Sequence, residues 1–170
     1  LILEMILKEG TISRAALSKT SGLTKATVSA IVQKLIEQNL VIEVGNDNTS
    51  LGRKPILLTF HANCGRALSI DVNANTISAM ICNLKGENCH LKLYPNHAGR
   101  EEIIPLLITI IRDMISSSAP TPYGVVGIGL GIHGTVYENQ VTFTPYSPYE
   151  HLPFREILEQ EFGIPIYLEN

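Results

Sequence analysis

The chain has 170 residues, of which 45% are hydrophobic and 17% are charged, and its formal net charge is −3. This composition is typical of a globular protein that can bury a core, and it does not indicate a disordered chain. The length is sufficient for a small domain followed by part of a larger one.

Two features bear on the compartment. The longest apolar stretch, residues 103–111, is about half as long as a bilayer-spanning helix, and no signal segment with a small-residue cleavage site is present. Cys64, Cys82 and Cys89 are odd in number and lack the paired spacing of zinc ligands. We therefore expect a cytoplasmic protein with reduced thiols, no membrane association, and no metal or cofactor in this chain.

Charge is unevenly distributed along the sequence. Residues 1–60 carry seven Lys or Arg and five Asp or Glu, a net of +2, whereas residues 61–170 carry six and eleven, a net of −5. A mildly basic head on an acidic body is typical of a phosphate-contacting domain joined to a second domain.

Three helices are predicted near the N-terminus. The apolar spacing of residues 1–7 indicates a first helix that stops at Gly10. Ser13 is a good N-cap for a second helix, and Thr24 caps a third one that extends to about Asn39. The buried face of this third helix is formed by Val28, Ile31, Val32, Leu35 and Ile36.

The second and third helices have the spacing of a helix-turn-helix. Two helices that cross steeply need a small residue where they touch, which is Ser18, and a residue that tolerates left-handed backbone in the turn, which is Gly22. They also need an aliphatic residue in the shared core, which is Val28. A plain helical hairpin is the alternative interpretation.

The opposite face of the third helix has the composition of a DNA-reading surface. No acidic residue occurs between Thr24 and Ile36. Small side chains allow close entry into the major groove, hydroxyl and amide groups bond base edges or phosphates, and an Ala methyl contacts a thymine methyl. We predict that DNA is bound by the face residues Ala26, Ser29, Ala30 and Gln33, their neighbours Lys25, Thr27 and Lys34, and the capping residues Ser13 and Thr24.

A wing follows the third helix. Residues 40–44 and 56–60 are predicted strands, joined by a polar, Gly-bearing hairpin. In this hairpin Arg53 and Lys54 adjoin the flexible Gly52, from where they reach phosphates or a narrow minor groove. Alone, such a basic pair is usually a solvated surface. After a helix-turn-helix, it favours a winged DNA-binding domain over residues 1–62.

The remaining sequence predicts a second domain, residues 63–170. Strands are expected at 67–72, 76–84, 89–94, 125–132 and 164–169, and helices at about 100–117 and 154–162. Three strands, a helix, a strand, a helix and a strand describe one lobe of an actin-like or sugar-kinase-like α/β domain. The fold class is therefore α+β, with a winged helix-turn-helix before this lobe.

Four segments carry a resemblance to a known family: Gly52-Arg53-Lys54-Pro55, Leu68-Ser69-Ile70-Asp71-Val72, Gly127-Ile128-Gly129-Leu130-Gly131-Ile132-His133-Gly134 and Tyr167-Leu168-Glu169-Asn170. Together they resemble the ROK family (repressors, open reading frames and kinases), and within it the group that represses xylose genes in Gram-positive bacteria. The resemblance implies a palindromic double-stranded DNA operator, release by xylose or a related sugar, and a homodimer. It also implies that most of the sugar pocket and a Cys-rich zinc site lie beyond Asn170.

The resemblance assigns sugar-binding positions to His133, Gly134 and Asn170. An ordinary loop histidine is the alternative for His133, because this chain has Ile132-His133-Gly134 where the family commonly has Pro-Gly. At the third helix, Ala30 stands where members of the family often have Arg. The base sequence that is read therefore stays open.

The match to the family's kinases fails at their phosphate loop. Kinases of the family have Asp-x-Gly-x-Thr, whose glycine lets the backbone approach ATP phosphates. This chain has Asp71-Val72-Asn73-Ala74-Asn75-Thr76, in which Ala74 and the Asn side chains crowd the turn. We therefore expect no enzyme activity, and Asp71 is either a relic or a strand-end turn residue. The alternatives are a sugar kinase with an accessory N-terminal domain and a winged-helix regulator with a non-sugar effector.

Overall fold

Two units make up the chain, Leu1–Cys64 and Gly65–Asn170. Their structure is a computed structural model that describes residues 1–45 and 56–170. The predicted domain boundary at residue 62 lies just before the division that follows Cys64. Within the described residues, no helix is both long and apolar enough to cross a membrane.

The first unit combines three helices with a three-stranded antiparallel sheet of order β1-β3-β2. Its elements are α1 (Ile2–Glu9), β1 (Thr11–Ser13), α2 (Arg14–Ser21), α3 (Lys25–Glu37), β2 (Val41–Val44) and β3 (Leu57–Phe60), followed by a 3₁₀ turn at Ala62–Cys64. The winged helix-turn-helix is confirmed. Strand β1 was not predicted from the sequence. It forms by pairing with β3, with Thr11 opposite Thr59.

The predicted helix boundaries are set by local chemistry. Gly10 ends α1 with a φ of 75°, and Gly22 ends α2 in left-handed backbone with a φ of 73°. The Ser13 hydroxyl accepts from the Ala16 amide at 3.2 Å and so caps α2. Helix α3 ends at Glu37 instead of near Asn39, because Asn39 turns the chain with a φ of 59°.

One apolar cluster holds the first unit together. Leu17 on α2 and Val28 on α3 are fully buried, which places the predicted core residue between the two helices. Truncation of a buried leucine such as Leu17 to Ala costs about 2–5 kcal/mol. The buried members of the cluster are Ile2, Ile6, Ile12, Leu17, Val28, Val32, Val41 and Leu58.

The second unit is built on a five-stranded sheet of order β10-β7-β4-β5-β6. Its elements are β4 (Arg66–Val72), β5 (Thr76–Asn83), β6 (His90–Pro95), α4 (Ile103–Ser116), β7 (Val125–Ile132), β8 (Thr135–Tyr137), β9 (Gln140–Phe143), α5 (Phe154–Phe162) and β10 (Ile166–Glu169). Strands β4, β7 and β10 are parallel, and β4, β5 and β6 are antiparallel. The predicted strand–helix order is thereby confirmed.

Side chains of alternate strand residues bury one sheet face against α4 and α5. On β4 these are Leu68, Ile70 and Val72, each 2% exposed or less. Helix α4 begins at Ile103 rather than near Arg100. The Arg100 guanidinium instead donates to the carbonyl oxygens of Pro148 and Glu150, at 3.0 and 2.8 Å.

A hairpin of β8 and β9, absent from the prediction, lies between β7 and α5. Its turn residues Glu138 and Asn139 have φ angles of 47° and 61°, as the two central residues of a type I′ turn require. The Asn139 side chain then accepts from the Leu168 amide at 2.6 Å and donates to the Ile166 carbonyl at 3.3 Å. These bonds attach the hairpin to β10.

Candidate functional site

Helix α3 presents one exposed face, and the structure places every predicted DNA-binding residue of this helix on the surface. Val28 and Val32 are fully buried on the opposite side. The exposed residues are Lys25, Ala26, Thr27, Ser29, Ala30, Gln33 and Lys34. The face is therefore continuous and consists of short side chains, two lysines and one glutamine.

The N-terminal end of α3 carries uncompensated positive charge. Its first turn contains no acidic residue and begins with Lys25. A lysine there opposes the helix dipole, which favours anions at this end. In the part of the chain that is described, no carboxylate lies within ion-pair distance of Lys25 or Lys34. In the isolated helix the Lys25 charge at this end is therefore unfavourable. A phosphate bound there would interact favourably with both the lysine and the helix dipole.

Several polar groups of this face already have partners. The Thr24 hydroxyl accepts from the Thr27 amide at 3.2 Å and lies 2.9 Å from the Thr27 hydroxyl. The Gln33 amide donates to the Glu37 carboxylate at 3.2 Å. Thr24 and Thr27 consequently fix the helix end, whereas the Gln33–Glu37 bond is exposed to solvent and therefore weak.

The turn between α2 and α3 fixes the angle at which this face is held. The Ser18 hydroxyl donates to the Leu23 carbonyl at 2.7 Å, and the Ser21 hydroxyl accepts from the Leu23 amide at 3.3 Å. With Gly22 in left-handed backbone, the turn satisfies its own polar groups.

The other predicted DNA-contacting residues lie elsewhere. Ser13 is half-buried and its hydroxyl caps α2, so it is not on the α3 face. The adjacent Arg14 is paired with Glu43 of β2 at 2.6 Å. Arg53 and Lys54 lie outside the described residues.

The second unit has a cleft at the carboxyl ends of its parallel strands. Gly131 of β7 pairs with Asp71 of β4 on one side and with Glu169 of β10 on the other. Asn73, His133 and Asn170 therefore follow the ends of three neighbouring parallel strands, where open α/β sheets bind ligands. The cleft measures about 510 Å³ and is lined by Asn73, Ala74, Asn75, Thr76, His133, Tyr146 and Ser147.

One aromatic pair forms a wall of this cleft. The rings of His133 and Tyr146 lie 5.5 Å apart between centroids, at an interplanar angle of 38°. Tyr146 and Ser147 come from the loop after β9, so no local pattern in the sequence relates them to His133. The structure adds them, together with Asn73 and Asn75, to the candidate site.

The three residues predicted to bind a sugar are not equivalent. Among the described residues His133 lines the cleft, while Gly134 and Asn170 do not. A Cβ atom on Gly134 would lie 2.1 Å from the Phe143 carbonyl oxygen, so a close approach of β9 explains this glycine. Asn170 is exposed directly after β10.

The turn between β4 and β5 is held by one of its own side chains and by Asn96, which follows β6. The Asn73 amide donates to the Asp71 carboxylate at 2.6 Å, and the backbone carbonyls of Asn73 and Asn75 accept bonds from Asn96 at 2.8 and 2.9 Å. Asn96 is only 2% exposed. The Asp71 carboxylate is thus bonded within the turn, and Asn73 occupies the position of the glycine in the kinase motif.

Comparisons with known proteins agree with this architecture. The sequence profile of the ROK family matches residues 67–170. The chain belongs to the ROK family. A second profile, described as winged helix-turn-helix DNA-binding, matches residues 1–42 of this ROK chain.

The relatives of this ROK chain include curated repressors. It is 36% identical over 172 residues to the xylose repressor of Bacillus spizizenii, covering 100% of this chain and 45% of that protein. It is 37% identical over 177 residues to a putative xylose repressor of Caldicellulosiruptor sp., covering 100% and 44%. The chain therefore spans less than half the length of these relatives.

Two solved structures define the fold similarity. A ROK family transcriptional regulator, a homolog of the E. coli MLC protein, superposes on 99% of this ROK chain and 44% of its own, with a TM-score of 0.75 and 23% identity. A ROK family glucokinase from Streptomyces griseus, solved with glucose and AMPPNP, covers 62% of this chain and 33% of its own, with a TM-score of 0.55 and 21% identity. The predicted family and fold class are confirmed.

Proposed function

We propose that this chain is the DNA-binding domain and first lobe of a sugar-responsive transcriptional repressor. The observation that carries the proposal is the exposed, acid-free face of α3, held by a buried core on its other side. Its relatives named xylose repressors support the same function.

In this proposal α3 is the recognition helix. The N-terminal part of such a helix contacts base edges in the major groove. Ala26, Ser29 and Ala30 are short enough to let the helix backbone approach the groove floor, and Gln33 exchanges its bond to Glu37 for an adenine edge. Lys25 and Lys34 neutralise phosphates, and each phosphate contact contributes about −0.9 to the slope of log affinity against log salt.

Binding to a palindromic operator requires two copies of the first unit. In a homodimer the two α3 helices enter major grooves about one helical turn apart, at a distance of roughly 34–36 Å. The predicted contribution of Arg53 and Lys54 is to hold flanking phosphates or a minor groove. Their role stays a prediction of the sequence.

The effector site of the proposal is the cleft beside His133 and Tyr146. Pyranose rings stack on aromatic rings and hydrogen-bond to amide and hydroxyl groups, which the cleft offers on Asn73, Asn75 and Ser147. A sugar releases the operator only if it binds the operator-free conformation more tightly than the bound one. Xylose is the first candidate because the relatives are named for it.

The same cleft argues against a phosphotransferase. A phosphate loop presents backbone amides to the nucleotide. Here Asn73 replaces the glycine that permits close approach, and its side chain is bonded to the Asp71 carboxylate. We therefore propose a regulator without kinase activity.

Selection from a random DNA pool with the whole protein tests this function. We expect enrichment of a palindromic site, followed by loss of affinity in an anisotropy titration when xylose is added. No enrichment would reject DNA binding. Enrichment with affinity that no pentose or hexose changes would retain a winged-helix repressor and reject the sugar effector.

A further inference from the structure

The β5–β6 hairpin contains an irregularity that brings two cysteines together. Ile81 pairs with His90 in the regular register, and nearer the turn the Asn83 amide donates to the Glu87 carbonyl at 2.9 Å. Between these two links, Cys82 of β5 faces Asn88 and Cys89, the two residues that precede β6. Two residues opposite one form a β-bulge.

The bulge explains why the two thiols meet. Asn88 adopts left-handed backbone with a φ of 52°, which absorbs the extra residue and brings the Cys89 thiol beside that of Cys82. Residues directly opposite in an antiparallel pair have Cα atoms about 4.5–5.5 Å apart. This separation lies within the range of about 4.4–6.8 Å that a disulfide spans.

The environments of the two thiols differ. Cys82 is 9% exposed, and its pKa is raised first by burial and then by the thiol of Cys89 beside it. Cys89 is exposed, and its thiol donates to the Gly86 carbonyl at 3.3 Å. An oxidant therefore reaches Cys89 first, while Cys82 is the neighbour that can resolve the product.

We propose that Cys82 and Cys89 form a reversible disulfide when the protein meets a hydroperoxide, which makes this hairpin a redox-modification site. The Cys89 thiolate attacks hydrogen peroxide, which gives a sulfenic acid and, after proton uptake, water. The Cys82 sulfur then attacks the sulfenic sulfur, the S–S bond forms, and the hydroxyl leaves as a second water with the Cys82 proton. A dithiol reductant reverses the step by thiol–disulfide exchange.

Cys64 provides an internal control. It belongs to the first unit and is only 1% exposed, and burial raises the pKa of its thiol. The three cysteines also lie on different tryptic peptides, because cleavage follows Arg53, Arg66, Lys85 and Lys92. A bridge between residues 67–85 and 86–92 is therefore distinguishable from any bridge that involves residues 54–66.

Peptide mapping of the whole protein without reductant tests the proposal after treatment with hydrogen peroxide. We expect a joined pair of peptides 67–85 and 86–92 that lacks two hydrogens and separates on reduction. Cys89→Ser should abolish it, and Cys64→Ala should retain it. Oxidation of Cys89 to sulfinic acid with Cys82 still a free thiol would overturn the proposal, as would a Cys89–Cys89 bridge between two chains.

Discussion

The Ser18 hydroxyl on α2 donates to the carbonyl oxygen of Leu23 at 2.7 Å, across the turn that leads into α3. In the same turn the Gly22 amide donates back to the Ser18 carbonyl at 3.1 Å. A single small residue therefore allows the helices to approach each other and satisfies a turn carbonyl. The orientation of the α3 face depends on this contact.

Ser18→Ala removes the hydroxyl and leaves the Leu23 carbonyl without this partner. We expect a loss of about 0.5–1.5 kcal/mol in the free energy of unfolding, as for a typical intramolecular hydrogen bond. Urea denaturation followed by circular dichroism measures it. Lys19→Ala, one residue further along α2 and exposed, is the control. Equal midpoints for the two variants would show that the bond contributes nothing.

Gly134→Ala tests the close approach of β9 to the loop after β7. The added Cβ would lie 2.1 Å from the Phe143 carbonyl oxygen, so backbone must move, at a cost of about 1–3 kcal/mol. Gly129→Ala is the matched control, since no atom lies within 4 Å of its added Cβ. Thermal melts should show a lower midpoint for Gly134→Ala alone. Wild-type stability for this variant would argue against the packing described.

His133→Ala tests the proposed effector cleft. Loss of one hydrogen-bonding ring that faces Tyr146 should weaken sugar binding by roughly 2- to 10-fold, the equivalent of one hydrogen bond. Isothermal titration calorimetry with the responsive sugar measures the change. His97→Ala is the control, because His97 is also exposed but does not line the cleft. If both variants bind the sugar like the wild type, the effector site lies elsewhere.

Tyr94 makes stability sensitive to alkaline pH. Burial, followed by the 2.5 Å bond to the Asp113 carboxylate, raises the pKa of Tyr94 to about 12. The folded protein thus retains the phenol proton longer than the unfolded chain does. The contribution of the protonated Tyr94 to the free energy of unfolding is complete below the ordinary tyrosine pKa near 10. It is lost between about pH 10 and pH 12.

Tyr94→Phe should remove the part of the alkaline loss of stability that comes from deprotonation of Tyr94. We expect its urea midpoint to fall less than that of the wild type between about pH 9 and pH 11. The nearby Lys92, bonded to the same Asp113 carboxylate at 3.1 Å, is present in both proteins. Parallel pH profiles for the two proteins would contradict the assigned role of Tyr94.

The sequence predicts those elements whose signals are local. The stop at Gly10, the caps at Ser13 and Thr24, and the left-handed turn at Gly22 each depend on the residue itself and the next few amides. The α3 face follows for the same reason, because helical periodicity separates Val28 and Val32 from their exposed neighbours.

Features that depend on distant partners were beyond the reach of the sequence. Strand β1 has three residues and exists because β3 pairs with it. The β8–β9 turn uses Glu138 and Asn139 instead of the Asn-Gly pair that usually marks such turns. Tyr146 joins the cleft only because the chain returns to His133 after this hairpin, so neither spacing nor composition indicates it.

Ala26→Glu tests the central claim most directly, because it should affect folding and DNA binding in opposite directions. Ala26 is exposed in the first turn of α3, where a carboxylate interacts favourably with the helix dipole by about 0.3–1 kcal/mol. The same charge would face DNA phosphates. Gln160→Glu, exposed on α5, is the matched control for adding one negative charge.

The measurement is operator affinity of the whole protein by fluorescence anisotropy, with the melting temperature of each variant alongside. We expect Ala26→Glu to weaken binding by about tenfold or more at an unchanged or higher melting temperature, while Gln160→Glu binds like the wild type. Wild-type operator affinity in a folded Ala26→Glu protein would contradict the assignment of α3 as the DNA-reading helix.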